Sequence, residues 1–171
     1  QDESLEDLTV LGPGIVGAPS GQHIILCGRV LDRHGNLANG VLMEFWQANA
    51  KGIYNSPANS GNPDLDPWFN GYGRLRSASG EYKFCTIMPG ASDNRAPNIT
   101  ITLFSDGISR IVTQVFFEGN KANETDPVLK SLGTDDQARL IARHGGQTDG
   151  GAEIYLLDIV MAGENETCLL Y

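Results

Sequence analysis

Apolar residues in this chain come in short runs that alternate with polar ones, and clusters of turn residues cut every run short. In Asn98-Ile99-Thr100-Ile101-Thr102-Leu103 the two kinds of side chain take turns with a period of two. That period puts the apolar set on one face of a strand and the polar set on the other. Strand patterns of this kind run over His23 to Leu31, Val41 to Gln47, Arg74 to Ser77, Glu81 to Ile87, Asn98 to Phe104, Arg110 to Phe117, Glu153 to Met161 and Glu166 to Tyr171. Turns separate them at Asp32-Arg33-His34-Gly35-Asn36, Ser79-Gly80 and Ser105-Asp106-Gly107, and the last two predict hairpins. Residues 126–143 break the pattern. There Thr134-Asp135-Asp136-Gln137 fits a capping box, with Leu140, Ile141 and Arg143 at helix-compatible spacing. Many short strands, frequent turns and one short late helix predict an all-β sandwich with long loops.

The 171 residues make one domain. A chain this long buries roughly 70% of its unfolded surface, enough for a core without staples. Residues 1–21 hold Gly12, Pro13, Gly14, Gly17, Pro19 and Gly21 and read as an irregular arm; residues 22–171 form the domain proper. Residues 49–73 are a long polar loop, of the kind that is functional or disordered. The net charge of -9 argues against nucleic acid and anionic membrane, which both attract basic surfaces. No run of roughly 18 apolar residues is present, and Gln1-Asp2-Glu3-Ser4 does not read as a signal peptide. The expected location is the cytoplasm of a bacterium. Cys27, Cys85 and Cys168 are odd in number and sit in apolar surroundings, which fits buried free thiols in a reducing compartment. Three glycosylation sequons begin at Asn98, Asn123 and Asn165, a motif short enough to arise by chance.

Few residues offer chemistry. His23, His34 and His144 are far apart, and none has a partner at metal-ligand spacing, so each reads as a surface or hydrogen-bonded histidine. There is no nucleophile elbow, phosphate loop or His-Glu-x-x-His motif, and no cysteine pair at redox or zinc spacing.

An ordered set of short motifs says more. It runs from Cys27-Gly28-Arg29-Val30-Leu31-Asp32 through Glu44-Phe45-Trp46-Gln47-Ala48-Asn49-Ala50, Gly52 and Tyr54. Gly71-x-Gly73-Arg74, Gly80-Glu81-Tyr82, Pro89-Gly90, Arg95-Ala96-Pro97-Asn98-Ile99-Thr100 and Thr113-Gln114-Val115-Phe116-Phe117 continue it. In that order these motifs resemble the intradiol ring-cleaving dioxygenases, from about residue 22 to the end. The resemblance implies a β-sandwich and a ferric ion held by two tyrosines and two histidines. The first tyrosine position matches Tyr54, the second falls on Ser92, and the histidines fall on Asn98 and Thr100. A hydroxyl and a carboxamide are poor ferric ligands beside phenolate and imidazole.

Within the family the chain is most similar to the α subunits that bind no iron themselves. Those pair with a homologous β subunit that carries Fe(III) and cleaves a catecholic substrate with O2 between the hydroxyl carbons. The resemblance implies that this chain alone is inactive, with Tyr54, Ser92, Asn98 and Thr100 as vestigial ligand positions. Arg95 falls on an arginine that serves the iron site in β subunits, and here fills or pairs within a relic pocket. The arm is expected to pack on the partner and line its substrate pocket through Val10, Gly12, Pro13 and Gly14. Val10 and Gly14 stand where typical α subunits have threonine and tyrosine. Gln114 stands where a cationic side chain can face the substrate carboxylate, so a substituted catechol with another ring group also fits. Two other readings remain open: a standalone metal-free module binding aromatics or carbohydrates, and a transthyretin-like structural domain.

Overall fold

The computed structural model describes residues 6–10, 17–105, 108–162 and 166–167. Nine strands follow in order: β1 His23–Leu31, β2 Leu42–Gln47, β3 Tyr72–Arg76, β4 Glu81–Ile87, β5 Asn98–Ser105, β6 Ile108–Phe117, β7 Ile141–Gln147, β8 Glu153–Leu156 and β9 Ile159–Val160. Their spatial order is β3-β2-β5-β6-β7-β8-β1-β4, with β9 beside β1. Strand β7 turns the corner between two layers. It runs parallel to β6 at Phe116 and Phe117 and antiparallel to β8 at Arg143 and His144. The expected β-sandwich is what forms.

The period of two builds the core. Ile99, Ile101 and Leu103 of β5 point inward and are essentially fully buried, while Thr100 and Thr102 point outward. Phe45 of β2 stacks on Phe84 of β4 at 4.0 Å and 10°, which joins the two layers face to face. Phe117 meets Tyr155 edge-on at 5.0 Å. The Tyr82 hydroxyl donates to the Leu157 carbonyl at 2.6 Å, so this buried phenol is not left unpaired.

Several expectations need correction. Ser79 and Gly80 do form a tight turn, with φ of 53° and 76°, but Ala78–Glu81 is the sole bridge across it. Strands β3 and β4 then part, β3 to pair β2 and β4 to pair β1. Each must offer its apolar face to the same core from opposite layers, so a continued hairpin is excluded.

The helical region is also smaller than its pattern. Helix α1 is Pro127–Lys130 and helix α2 is Thr134–Leu140. Gly133, not Thr134, is the N-cap of α2, and no side chain caps it. Ile141 and Arg143 belong to β7, because pairing with β6 and β8 overrides local spacing. The closing apolar run divides into β8 and β9, and Glu166 and Thr167 lie outside any strand. Cys168 and the rest of that expected strand lie outside the described residues. Among the described cysteines, Cys27 and Cys85 are free, as expected, but half-buried rather than buried.

The arm is not wholly irregular. Asp7 bridges Cys85 in parallel at the outer edge of β4; the Cys85 amide donates to the Glu6 carbonyl at 2.8 Å, and the Leu8 amide to the Cys85 carbonyl at 2.9 Å. Leu8 is 7% exposed and joins the core. These residues cover a strand edge that would otherwise present unpaired backbone. Leu8→Ala is expected to cost about 2 kcal/mol, the low end for a buried leucine, because a short strap can peel away. Amide exchange at Cys85 is the readout. Exchange as slow as in the wild type would show that Leu8 does not anchor the strap.

Candidate functional site

The outer face of β2, β5 and β6 carries the candidate site. Register aligns Trp46 with Thr100 and Thr100 with Gln114 in one row across the three strands. Asn98 lies two residues before Thr100, on the same face and opposite Phe116. Tyr54 follows in the loop after β2, its ring 5.6 Å from the Trp46 ring. Burial pushes the Tyr54 phenol up in pKa, and the nearby Arg95 charge pulls it partly back.

Arg95 is the centre of the cluster. A tight turn through Asp93, whose φ is 50°, ties it by backbone hydrogen bonds to Ser92. Its Nε donates to Asp126 Oδ2 at 3.0 Å, and its Nη2 donates to Gln114 Oε1 at 2.6 Å. The guanidinium lies 5.9 Å above the Phe116 ring, within cation–π range. Gln114 Nε2 reaches Thr100 Oγ1 at a long 3.4 Å.

Asp126 holds this arrangement in place, and its side chain is 0% exposed. One oxygen accepts from Arg95 Nε and the Ala96 amide; the other accepts from the amides of Val128 and Leu129 as the N-cap of α1. A buried carboxylate with four donors, one of them a cation, is well compensated. The sequence reading missed this residue. Asp126 followed by Pro127 is a helix-start signal. Nothing local reveals that it also holds an arginine 31 positions earlier.

The structure therefore gathers Tyr54, Ser92, Asn98, Thr100 and Gln114 around Arg95. Val10 is 68% exposed, whereas Gly12, Pro13 and Gly14 lie outside the described residues. Asn98 is 5% exposed; its Nδ2 donates to the Ala96 carbonyl at 2.8 Å, and its Oδ1 has no protein partner. That burial also makes it a poor glycosylation acceptor. The four positions that the family resemblance matches to iron ligands offer a phenol, a hydroxyl, a carboxamide and a second hydroxyl. Of these only the phenol readily becomes an anionic ligand, so the set does not fit a ferric ion. Among the described residues, no group of three or more His, Cys, Asp or Glu could hold a metal.

The histidines stand apart from this cluster. His23 and His34 are exposed. His144, in β7, pairs with Glu153 and meets the Tyr155 ring edge-on at 5.4 Å. Glu153, which also accepts from Gln147, has its carboxyl pKa held down by these two partners. No helix among the described residues is long and apolar enough to cross a membrane.

Comparison with known proteins gives the arrangement a context. A family model described as a dioxygenase matches residues 6–163. The chain is 38% identical over 162 residues to the protocatechuate 3,4-dioxygenase beta chain of Burkholderia cepacia, covering 88% of this chain and 69% of that one. It is 33% identical over 156 residues to the alpha chain of the enzyme from Pseudomonas putida, covering 86% and 75%. A solved intradiol ring-cleavage dioxygenase from Tetranychus urticae superposes with a TM-score of 0.70 at 16% identity, over 95% of this chain and 96% of that one.

Proposed function

Since the chain belongs to the intradiol dioxygenase family, we propose that it is the iron-free, α-type subunit of an enzyme like protocatechuate 3,4-dioxygenase. Overall identity does not choose the role, because the beta-chain relative is the more identical of the two. The observation that carries the reading is the chemistry at the ligand positions. Ser92, Asn98 and Thr100 lack the charge and the nitrogen donors a ferric ion requires, while Arg95 is committed to Asp126 and Gln114.

On this reading the iron belongs to a homologous β subunit. There a catecholic substrate is opened by O2 between its hydroxyl carbons to a cis,cis-muconate. This chain's residues take no step in that reaction. They bury the partner's interface, complete the pocket wall and exclude water from it. The arm positions Val10, Gly12, Pro13 and Gly14, with Gln114, are assigned to that wall. Two of the relatives are bacterial enzymes, and we place this complex in a bacterial cytoplasm.

The chain purified alone is expected to hold no stoichiometric iron and no tyrosinate-to-iron absorption. Co-expressed with an iron-bearing homologue, it is expected to form a particle with equal numbers of the two chains, burying on the order of 2,000 Å² or more per pair. Metal analysis, visible spectra and size-exclusion chromatography read these out. One iron per isolated chain with a red-brown colour would reverse the assignment. A stable monomer that ignores the homologue would favour a standalone module.

A further inference from the structure

A cleft of about 660 Å³ lies against β1 and β4, reaches Leu75 and Arg76 of β3, and contains none of the relic-site residues. Cys27, Cys85 and Lys83 all line it. Register fixes their relation: Cys27 stands opposite Lys83, and Ile25 stands opposite Cys85. The two thiols are thus diagonal neighbours on adjacent antiparallel strands, on one face. Diagonal Cβ atoms lie about 7 Å apart or a little less. A disulfide requires roughly 4 Å between Cβ atoms, so direct bridging is disfavoured. A single soft ion between the sulfurs suits the wider spacing, since thiolates select Cu(I)-type metals.

We propose that Cys27 and Cys85 form a two-thiolate clamp for a soft monovalent cation of the Cu(I) class, with Lys83 supplying the counter-charge. Binding releases one proton from each thiol and forms two metal–sulfur bonds, with no change of oxidation state. The resulting pair of thiolates around a monovalent ion carries one net negative charge, which the Lys83 ammonium offsets.

The surroundings fit this role. Cys85 is fixed by backbone hydrogen bonds to the strap residues Glu6 and Leu8, and its β4 neighbours pair with β1. A site on rigid elements holds ligand geometry better than one on loops. Leu75 and Leu156 give the cleft apolar lining. Burial raises both thiol pKa values, Asp7 adds to the rise at Cys85, and Lys83 offsets part of it. Glu6, Asp7 and Glu81 also line the cleft, as does Arg29, which Asp158 already pairs. Two thiols without a third ligand favour linear two-coordinate ions over zinc, which takes four ligands.

The test uses the full chain carrying Cys168→Ser, titrated with Ag(I) and, under anaerobic conditions, with Cu(I). One ion per chain is expected, and it should protect two thiols from alkylation at once. Cys27→Ser and Cys85→Ser should each weaken binding by roughly 100-fold, the size of a lost effective-concentration gain. Lys83→Met, which leaves both thiols, should weaken it about 10-fold, as loss of an outer partner does. Circular dichroism checks that each variant is folded, and thiol protection in the unaltered pair needs no variant. Two ions bound independently per chain would overturn the clamp. So would single-cysteine variants that keep the parent affinity, or one ion that protects a single thiol.

Discussion

Asp126→Ala is expected to lower stability by about 3–5 kcal/mol, the range for removing one partner of a buried ion pair. Several losses coincide. Arg95, whose side chain is 25% exposed, is left without its counter-ion. The amide of Ala96, a residue only 1% exposed, loses its acceptor. Helix α1 loses its N-cap, a loss that alone costs about 0.5–2 kcal/mol. Asp126→Asn keeps the volume and one acceptor oxygen, so it is expected to cost less, about 1–3 kcal/mol. Chemical denaturation of the two variants gives the comparison. If Asp126→Ala falls within about 0.5 kcal/mol of the parent, as surface changes do, the carboxylate is not what holds Arg95 and α1 together.

Why Asp126 escaped the sequence reading explains what such a reading can reach. Strands β1 and β4 were legible to the residue, because alternation is a local signal that burial on one face rewards. Strand β7 was not. Its Arg143-His144-Gly145-Gly146 sequence has little strand character, and its pairing comes from Phe116, Phe117, Leu156 and Tyr155, distant in the chain. The strap at Glu6 to Leu8 was missed for the same reason, since an edge needing cover exists only once β4 is placed. The candidate site was half legible. The motif resemblance picked out Tyr54, Ser92, Asn98, Thr100 and Gln114; strand register brings Asn98, Thr100 and Gln114 to Arg95, and a loop and a tight turn bring Tyr54 and Ser92. The bond from Arg95 to Asp126 joins separate segments and leaves no spacing signature.

Because the strands still hold these positions together, the combined variant Ser92→Tyr, Asn98→His, Thr100→His is expected to gain iron. With native Tyr54 it would present two phenols and two imidazoles. The two histidines would sit two residues apart on one strand, so both project from the same face of β5. Thr100 already stands opposite Trp46, whose ring packs against Tyr54, so the second histidine would enter beside a phenol. Asn98 sits deeper, and a larger imidazole there must displace neighbours; this crowding is the main obstacle. Iron content and tyrosinate-to-iron absorption measure the outcome. The parent is expected to bind none, and the triple variant about one ferric ion per chain, the usual stoichiometry of a mononuclear site. Changing Tyr54 to Phe in that variant should abolish the colour contributed by the native phenol and weaken binding. A triple variant that folds, keeps its helical and strand content, and still takes up no iron would show that Ser92, Asn98 and Thr100 do not occupy ligand positions. The case for an iron-free subunit would then lose the observation it rests on, since absent ligands mean nothing at positions where no ligand could reach.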